Sequence, residues 1–504
     1  MFDAEKLNST PPTEVADKLQ EQRMHSKNSA HRLEWMMSHE NTEAISLAQS
    51  TYRIRKIKHH QTKRLDTFDQ LRNTRFGLFY SNRLKQYAVV RLVVQWLWRN
   101  GYPIYVNHIS PFFSNASKRR SRRWRPLIKL GEFARKKGTP ICKLLDESVI
   151  ETPEPKVFPS CDQGYIVSPH ERYKFPEIYV ATIRNGIIYG GSNLIMADGK
   201  VICHDLYNFE SDYTSEELHG RTLIDPKSNR IRLLLYDEEP ERIPSAAAFV
   251  DACAPNYAHW LTEVLPRICL FCSDERFKNI PIVVNEGLHK NIMESLLLVS
   301  GYEREVILLP IGRALRCDKL YITSVSGYVP FEWRKNRLSG FSHGLFSPMA
   351  LRLLCKQLNG KSQKAEDQKW PEKIFLRRNS GYRKVINAID VERVFFSRGY
   401  AIVEPEKLSF SQQVALFKNA KTIVSSSGAA LANMIFTTQG SKIFILISKH
   451  PDTIYWYWQN IACASGKTVN YLFGKISESD LSGIHASFVV DLDDLVLLLS
   501  EAEE

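Results

Sequence analysis

The sequence contains no uninterrupted apolar run of about 18 residues, the length that crosses a bilayer as a helix. Its nearest approach, Tyr87 to Trp98, is broken by Arg91 and Gln95. The N-terminus, MFDAEKLNSTPPTEVADKLQ, also lacks the basic and then apolar pattern of a signal peptide. These absences argue against a membrane-spanning or exported protein and predict a cytoplasmic one.

Cysteine is sparse, and its pattern excludes a disulfide framework. The nine cysteines are scattered and odd in number, which is typical of reduced thiols in a cytosol. Cys269 and Cys272 form an isolated C-x-x-C in RICLFC, a sequence that favours a helix facing a core. Because no second Cys or His pair lies near them, a metal site is not predicted there.

Negative charge is nearly missing from one segment. Residues 51–140, the basic segment, hold 22 Lys and Arg against 3 Asp and Glu, although the whole chain has a net charge of only +13. Basic runs such as Lys118 to Leu130 alternate with Trp96, Trp98 and Trp124. Such a segment attracts polyanions. Three interpretations stay open: an anionic membrane surface, a solvated helical face and, least favoured because no known nucleic-acid motif appears, RNA or DNA.

A chain of 504 residues exceeds what one hydrophobic core usually supports, so several domains are expected. Residues 1–150 are predicted to be mostly helical and strongly basic, a region for membrane or partner docking, and Glu147 to Gly164 reads as a proline-containing linker. Residues 165–355 begin with a β-meander and continue as strand, helix, strand, the pattern of a parallel α/β sheet. A polar stretch, Leu358 to Lys373, is predicted to be a second linker.

Residues 372–504 alternate strands and helices, which predicts a doubly wound α/β domain. In such sheets ligands bind outside the carboxyl ends of the strands. Three groups of residues are expected there: Arg377 and Arg378, Glu404 and Glu406, and Ser425 to Gly428. Arginines beside a helix N-terminus suit a diphosphate and a carboxylate suits ribose hydroxyls, so this half is predicted to bind a nucleotide.

The stretch SSSGAALAN, which joins a predicted strand to a predicted helix, carries the anion-binding part of this hypothesis. Backbone N–H groups and the positive end of the helix dipole meet at such a junction. A tight turn with a serine helix cap explains the same residues equally well.

Five tracts, in order, resemble the family 61 glycosyltransferases: PEIYVATIRNGIIYGGSNLIMADGKVICHDL, NYAHWLTEVLPRI, FLRRNSGYRKVIN, VEPEKLSFSQQVALFKNA and SSGAALANMIF. The resemblance implies two Rossmann-like lobes of the GT-B type, with the acceptor side in residues 165–355 and the nucleotide-sugar site in 372–504. It also implies inverting, metal-independent transfer of a sugar, with the nucleotide-sugar as co-substrate and no further cofactor. Prokaryotic members serve capsule, lipopolysaccharide or exopolysaccharide assembly in the cytoplasm, and the missing signal peptide favours that branch.

The resemblance also implies the donor-binding residues. Arg378 and Arg383 are expected to supply cations to the diphosphate, and Asn387 and Asn433 to hold the donor or its loop. The remaining donor-binding candidates are Glu406, Ser426, Ser427, Gly428 and Ala429.

This sequence departs from the family pattern at two positions. Ser427 stands where the family usually has a histidine, and Ala388 where it commonly has a glutamate. The serine is expected either to lower the activity or to replace the hydrogen bond of the histidine to the donor.

The catalytic base is expected in NYAHWLTEVLPRI. In a helix His259 and Glu263 share a face, with Asn256 three residues earlier, so one of the pair can act as base and the other as its orienting partner. The alternative is an ordinary surface pair, with each other or with Arg267; the resemblance favours catalysis. His343 and the carboxylates of Asp491 to Asp494 are weaker candidates, and the latter are better explained as the N-terminal charge of a helix.

Three functions follow as hypotheses. The first is a hexosyl- or pentosyltransferase that acts on a saccharide or lipid-linked acceptor, peripherally bound to the inner face of the plasma membrane. The second is an inactive nucleotide-sugar-binding scaffold of a polysaccharide assembly complex. The third is a nucleic-acid-binding protein that uses the basic segment, for which steep salt dependence is expected.

Overall fold

The computed structural model divides the chain into two compact units, Met1–Ile54 and Arg55–Glu504, and only the second is described in detail below. The residues whose structure is described are 53–57, 90, 93–94, 96–97, 101, 104, 123–165, 172–234, 239–301, 303–330, 332–334, 344–359, 369–379, 382–450, 456–476 and 486–503.

The strands fall into two groups along the chain. Those of the first half are β1 (Ile54–Lys56), β2 (Arg125–Lys129), β3 (Ile141–Leu145), β4 (Ser148–Glu151), β5 (Val157–Phe158), β6 (Arg172–Phe175), β7 (Ile178–Tyr189), β8 (Ile195–Ala197), β9 (Lys200–Cys203), β10 (Asp212–Tyr213), β11 (Thr222–Asp225), β12 (Arg230–Leu233) and β13 (Glu241–Ala248). Those of the second half are β14 (Ile282–Asn285), β15 (Val306–Leu309), β16 (Ala314–Thr323), β17 (Gly327–Tyr328), β18 (Glu332–Trp333), β19 (Leu345–Phe346), β20 (Lys373–Leu376), β21 (Ala401–Val403), β22 (Thr422–Ser426), β23 (Lys442–Ser448), β24 (Asn470–Ile476) and β25 (Phe488–Val489).

Helices pack on these strands or connect them. The α-helices are α1 (Leu130–Lys137), α2 (Ser215–Leu218), α3 (Tyr257–His259), α4 (Leu265–Ser273), α5 (Lys290–Ser300), α6 (Pro348–Asn359), α7 (Ala388–Ser397), α8 (Phe410–Asn419), α9 (Trp456–Ala464) and α10 (Leu492–Glu503). A π-helical turn, Trp260–Val264, joins α3 to α4. The 3₁₀ helices are Ser160–Tyr165, Glu275–Phe277, Pro405–Lys407 and Ala429–Phe436.

The larger sheet has twelve strands in the order β1-β15-β14-β13-β16-β7-β8-β9-β2-β12-β11, with β3 beside β7. Strands β15, β14, β13 and β16 run parallel, as the strand-helix-strand pattern predicts. The β-meander is confirmed too, because β7, β8 and β9 pair antiparallel. Nearly every residue of β14 and β15 is apolar and buried, as expected for strands covered on both faces.

The smaller sheet confirms the prediction for the C-terminal half. Strands β20 to β24 are all parallel and lie in the order β21-β20-β22-β23-β24, with the short strands β25 and β5 beyond or beside β24. This is the 2-1-3-4-5 order of a doubly wound sheet, whose switch point lies between its first and third strands in chain order. Here these strands are β20 and β22. Arg377 and Arg378 follow one of them and Ser427 and Gly428 the other.

Helix starts in this half also match their sequence signals. Ser409 and Gln412 form the predicted capping box of α8, since the Ser409 side chain accepts from the N–H of Gln412 and the Gln412 side chain from the N–H of Ser409. The segment GAALANMIF, predicted to be a helix, is the 3₁₀ helix Ala429–Phe436. Asp491 precedes α10 and accepts the N–H of Asp493 at 3.1 Å, which confirms it as the N-terminal charge of that helix.

Hydrogen bonds and strand pairing tie the two sheets together. The carboxylate of Glu294, on α5, accepts the N–H groups of Phe410 and Ser411 at 2.8 and 2.9 Å and so caps α8 of the other half. Asn291 donates to the carbonyl of Leu408 at 2.9 Å. Strand β5 comes from the N-terminal half but pairs with β24. These contacts fix the two sheets relative to each other.

Of the residues just before 150 that were predicted to be mostly helical, only α1 (Leu130–Lys137) is a helix within the described range 125–151. Residues 125–151 contain β2, β3 and β4; β2 lies between β9 and β12, and β3 pairs with β7. Leu127 and Ile128 are buried, so the basic run Lys118 to Leu130 ends as a strand of the large sheet and not on the surface. The strand is short and carries charged residues beside its two buried apolar ones, so composition alone misled here.

The predicted first linker, Glu147 to Gly164, is likewise structured in part, with β4, β5 and a 3₁₀ helix. Most of the second linker lies outside the described residues, as do His343, Trp98 and Lys118 to Arg122. The two-lobed GT-B arrangement and the three domain boundaries remain predictions. Among the residues described, no helix is both long enough and apolar enough to span a bilayer.

Candidate active site

The predicted base pair lies on an irregular helix. Asn256 begins α3 by accepting the N–H of Ala258 at 3.0 Å, and the backbone then opens into the π-helical turn Trp260–Val264. Single π-turns inside helices are frequent at functional sites. His259 Nδ1 lies 2.5 Å from Glu263 Oε1, so the two side chains share a face as predicted.

This pair is buried, with only 11% of the His259 side chain and 14% of the Glu263 side chain exposed, so it is not the surface pair of the alternative interpretation. Burial disfavours the charged imidazole, but the carboxylates of Glu263 and Asp251 outweigh it and raise the pKa of His259 above its ordinary value. Arg267 pairs with Asp251 at 3.2 Å and donates to the backbone carbonyl of Glu263. The carboxylate of Glu263 is thereby left to His259.

A close backbone approach fixes Glu263 from the other side. Gly327 in β17 has no room for a side chain: a Cβ there would lie 2.7 Å from the carbonyl oxygen of Thr262 and 3.0 Å from Cγ of Glu263. The nearby Ser326 hydroxyl donates to the carbonyl of Glu263 at 3.1 Å. These contacts hold the π-turn in place.

The second part of the site is a pair of arginines at the switch point of the small sheet. A Cβ on Gly428 would lie 2.2 Å from Nη1 of Arg378, so the guanidinium rests directly on the glycine that precedes the 3₁₀ helix. Burial lowers the pKa of Arg378, and burial together with the charge of Arg378 lowers the pKa of Arg383 to about 10. Within the described part of the chain no carboxylate pairs with Arg378. An anion bound here would offset this repulsion and desolvation.

Ser427 lies between the arginine pair and an aromatic helix. Its hydroxyl oxygen accepts from Trp458 Nε1 at 3.0 Å and from Arg383 Nη1 at 3.3 Å. A hydroxyl oxygen has two lone pairs and one proton, so two accepted hydrogen bonds leave the proton to be donated. Arg383 itself has a backbone φ of 57°, a strained conformation of the kind that clusters at functional sites.

Arg377, next to Arg378, is engaged differently. It forms ion pairs with Glu392 and with Glu404, at 2.5 and 3.1 Å. Asn379 donates to Glu404 at 3.1 Å and to Glu406 at 2.6 Å. Of the two carboxylates predicted after β21, Glu404 is therefore committed to Arg377, and Glu406 contacts an exposed amide.

The two predicted asparagines form hydrogen bonds within the protein, Asn387 with the backbone and Asn433 with side chains. Asn387 donates to the carbonyl of Val490 at 2.8 Å and accepts the N–H of Val490 at 3.0 Å. Asn433 is fully buried, accepts from the hydroxyl of Tyr257 at 2.7 Å and donates to Gln413 at 2.8 Å. Of the two roles foreseen for them, holding a loop is the one that these contacts match.

The other small residues predicted for the donor are in place at the same sheet edge. Ser426 ends β22 and is buried, with its carbonyl accepting from the Ser425 hydroxyl at 2.9 Å. Ala429 begins the 3₁₀ helix, whose first N–H groups lack partners within the helix itself.

Sequence reasoning missed two aromatic residues that join the parts of the site. Tyr457 and Trp458 begin α9, which follows β23 along the chain. The Tyr457 ring lies 6.4 Å from the ring of His259. The charge of Glu263 raises the pKa of the Tyr457 hydroxyl, and the charge of Arg383 lowers it. In doubly wound sheets, ligands bind outside the carboxyl ends of the strands. The aromatic run YWYWQN follows such a strand, so this rule could have identified both residues from the sequence.

A comparison with protein-family models matches the part of the chain that holds most of these residues. A family model described as Glycosyltransferase 61 matches residues 257–444. This match supports a glycosyltransferase of family 61. A search of curated proteins found no match.

The range of the family match agrees with the set of site residues that the sequence predicted. All the predicted catalytic and donor-binding residues of this family 61 glycosyltransferase, from His259 to Asn433, lie within the matched range. Tyr457 and Trp458 lie beyond it.

Removing the buried amide of Asn433 is expected to destabilise the protein. Asn433→Ala leaves the Tyr257 hydroxyl and one Gln413 acceptor without a partner, and each buried unsatisfied group costs roughly 1–3 kcal/mol. We expect urea-induced unfolding to show a loss of about 2–5 kcal/mol. Asn419→Ala, in the same half but at an exposed position, is the control and should change the free energy of unfolding by less than about 1 kcal/mol. Equal losses in both variants would contradict this account.

His259 is expected to make stability depend on pH. Because its pKa is raised in the folded state, its contribution is fully present below the ordinary histidine pKa and is lost as the pH rises through the raised value. The free energy of unfolding of the wild type, relative to that of His259→Gln, should therefore fall from pH 6 to pH 8. A constant difference across this range would show that Glu263 and Asp251 do not stabilise an imidazolium.

Proposed function

We propose that this protein is an inverting, metal-independent glycosyltransferase that moves a hexose or pentose from a nucleotide-sugar donor to a saccharide or lipid-linked acceptor. One observation carries the proposal: a buried histidine–carboxylate pair and a half-buried arginine pair both act on one aromatic side chain, Tyr457, whose ring lies 6.4 Å from that of His259. Inverting transfer needs a base at one end of the reacting line and a holder of anionic charge at the other.

The reaction is a single displacement. The base takes the proton of an acceptor hydroxyl while the hydroxyl oxygen forms a bond to the anomeric carbon. The bond between that carbon and the diphosphate oxygen breaks, and its electron pair leaves with the diphosphate. Arg378, Arg383 and the Ser427 hydroxyl would face the growing negative charge, together with the first N–H groups of the 3₁₀ helix.

Within the base pair, we assign proton acceptance to His259 and orientation to Glu263. Nδ1 of His259 is the nitrogen that contacts the carboxylate, so in the neutral imidazole that nitrogen carries the proton and Nε2 carries the lone pair. A carboxylate that fixes the tautomer of a histidine in this way also raises its basicity. The raised pKa of His259 agrees with this division of roles.

The serine at position 427 supports an active donor site. Trp458 and Arg383 fill the acceptor capacity of the hydroxyl, so its proton is directed to a further acceptor such as a phosphate oxygen. We propose that this hydrogen bond replaces the one expected from the family histidine. If the replacement fails, the protein is the inactive nucleotide-sugar-binding scaffold.

A donor screen tests the function. Nucleoside diphosphates and nucleotide-sugars are titrated by isothermal calorimetry, and transfer and donor hydrolysis are followed with EDTA present. Turnover of one donor without metal supports the transferase. Binding without turnover, with lipid extracts supplied as acceptors, supports the scaffold, and no binding at all rejects both.

We further propose that the enzyme works in prokaryotic cell-surface polysaccharide assembly, at the anionic inner face of the plasma membrane. Val93, Trp96, Leu97 and Ile104 have helical backbone and are 50–59% exposed. Positions 93 and 97 are four residues apart and share one face of a helix. An exposed apolar stripe in a strongly basic segment is typical of helices that lie in a membrane interface.

Vesicle sedimentation tests the membrane partner. The wild type should bind vesicles that contain phosphatidylglycerol and not those of phosphatidylcholine alone. The double variant Val93→Glu, Leu97→Glu should bind at least about tenfold more weakly, because two apolar side chains no longer enter the interface. Ile389→Glu, at an equally exposed apolar position, is the control. Binding to RNA or DNA in preference to anionic vesicles would favour the nucleic-acid hypothesis instead.

A further inference from the structure

The hydroxyl of Tyr457 is a buried polar group in the centre of the candidate active site. Only 5% of the residue is exposed, and the hydroxyl has no hydrogen-bond partner in the part of the chain that the structure describes. The neighbouring Thr262 hydroxyl acts on it as a hydrogen-bonding group that lowers the pKa of Tyr457, but its own proton is donated to the carbonyl of Ala258 at 2.8 Å.

The ring that carries this hydroxyl is held firmly. It packs against Trp458 with ring centroids 4.6 Å apart, against Phe346 at 6.0 Å and against His259 at 6.4 Å. Trp458 is fixed in turn by its hydrogen bond to Ser427. The hydroxyl therefore cannot turn to solvent to find a partner.

Groups of opposite charge act on this hydroxyl. The carboxylate of Glu263, which belongs to the base pair, acts on it together with the thiol of Cys253, while Arg383, which belongs to the anion site, acts with the opposite sign. In the proposed reaction, a hydroxyl that is close to both the base pair and the arginine pair is also close to the bond that breaks. A buried, unpaired hydroxyl is costly, and such groups are retained where a ligand supplies the partner.

We propose that the Tyr457 hydroxyl donates a hydrogen bond to the diphosphate oxygen that leaves the anomeric carbon. The inference rests on the proposed function. The carbon–oxygen bond breaks, its electron pair passes to that oxygen, and the acceptor proton goes to the base pair. Tyr457 keeps its own proton throughout and contributes only the hydrogen bond, which strengthens as negative charge grows.

The protonation state fits this role. Burial and the charge of Glu263 raise the pKa of Tyr457 far above its ordinary value, so the hydroxyl stays protonated at neutral pH. It can therefore donate, but it cannot act as the base.

The test is Tyr457→Phe, which removes the oxygen and preserves the ring. We expect kcat to fall about 10²-fold while the donor Kd changes less than about threefold, because the hydrogen bond forms fully only in the transition state. The melting temperature should equal or exceed that of the wild type, since an unpaired buried hydroxyl has been deleted. The acid limb of the pH–rate profile should not move.

Tyr400→Phe is the matched control. Tyr400 is also buried with an unpaired hydroxyl, but it lies beside Phe395 and Lys373 and not between the base and the arginines. Its kcat should match that of the wild type. For Tyr457→Phe, an unchanged kcat, or a Kd that rises as much as kcat falls, overturns the inference alone. A wild type that turns over no donor overturns the proposed function, and this inference with it.

Discussion

Arg378→Ala is expected to weaken the binding of a nucleoside diphosphate by about 10- to 100-fold, the range of one lost charge-assisted hydrogen-bonded contact. The guanidinium rests on Gly428 at the switch point of the small sheet, beside Arg383. Two desolvated like charges repel each other, so each of them gains when an anion binds. Isothermal calorimetry with a nucleoside diphosphate measures the change directly.

The neighbouring residue is the matched control for this experiment. Arg377 has the same charge and follows the same strand, but Glu392 and Glu404 neutralise it. Arg377→Ala should leave the Kd of the diphosphate within about threefold of that of the wild type, because no net charge near the diphosphate is lost. Comparable losses in both variants would mean that overall positive charge, and not the arginine pair at the switch point, attracts the ligand.

Gly428→Ala approaches the same contact without removing a charge. The added Cβ would occupy the position of Nη1 of Arg378, so the side chain must move away. The backbone at Gly428 is extended, with φ of −172°, and accepts alanine without strain. We expect weaker diphosphate binding with little change in stability. Unaltered binding would show that Arg378 need not rest on the 3₁₀ helix to act.

His259→Ala is expected to have the largest effect on turnover. General bases contribute typically 10²–10⁴-fold, so kcat should fall by roughly this factor while the donor Kd stays nearly constant. Arg378 and Arg383, the residues proposed to hold the diphosphate, are not touched by the substitution. Steady-state transfer assays combined with donor calorimetry separate the two quantities.

Glu263→Gln divides the roles within the pair. Glutamine keeps the size and a hydrogen bond but loses the charge that raises the pKa of His259. The histidine should then become deprotonated at lower pH, so the acid limb of the pH–rate profile should shift to lower pH while the maximal rate falls. If the carboxylate were the base itself, Glu263→Gln would abolish the acid limb and reduce turnover as much as His259→Ala does.

The alternation of strands and helices in the C-terminal half could be predicted from the sequence because local signals agree there. Apolar runs mark β20, β22 and β23, and the capping box marks the start of α8. Since carboxyl ends of parallel strands share one edge, the same pattern also placed Arg378 and Ser427 together. For the residues between 125 and 151 local signals misled, since their strands are short, carry many charges and are stabilised by neighbours far away in the chain.

Among the candidate residues, chain spacing predicted contacts only over short range. His259 and Glu263 are four residues apart, and their contact follows from helix geometry even through a π-turn. The partners of Arg377 lie elsewhere in the chain, Glu392 on α7 and Glu404 after β21. Tyr257, the partner of Asn433, lies on α3 in the other half of the chain. No local pattern separates Arg377 from Arg378, although the first is neutralised and the second is not.

In the C-terminal half the sequence by itself determined which elements form and which edge of the small sheet carries the polar residues, because periodicity, capping and turn chemistry act within a few residues. The tertiary structure alone decided that the base pair is buried, that Ser427 is hydrogen-bonded by Trp458, and that the charges of Glu263 and Arg383 both act on Tyr457. These facts depend on desolvation and on contacts across nearly two hundred residues of chain, and packing, not sequence neighbourhood, sets both of them.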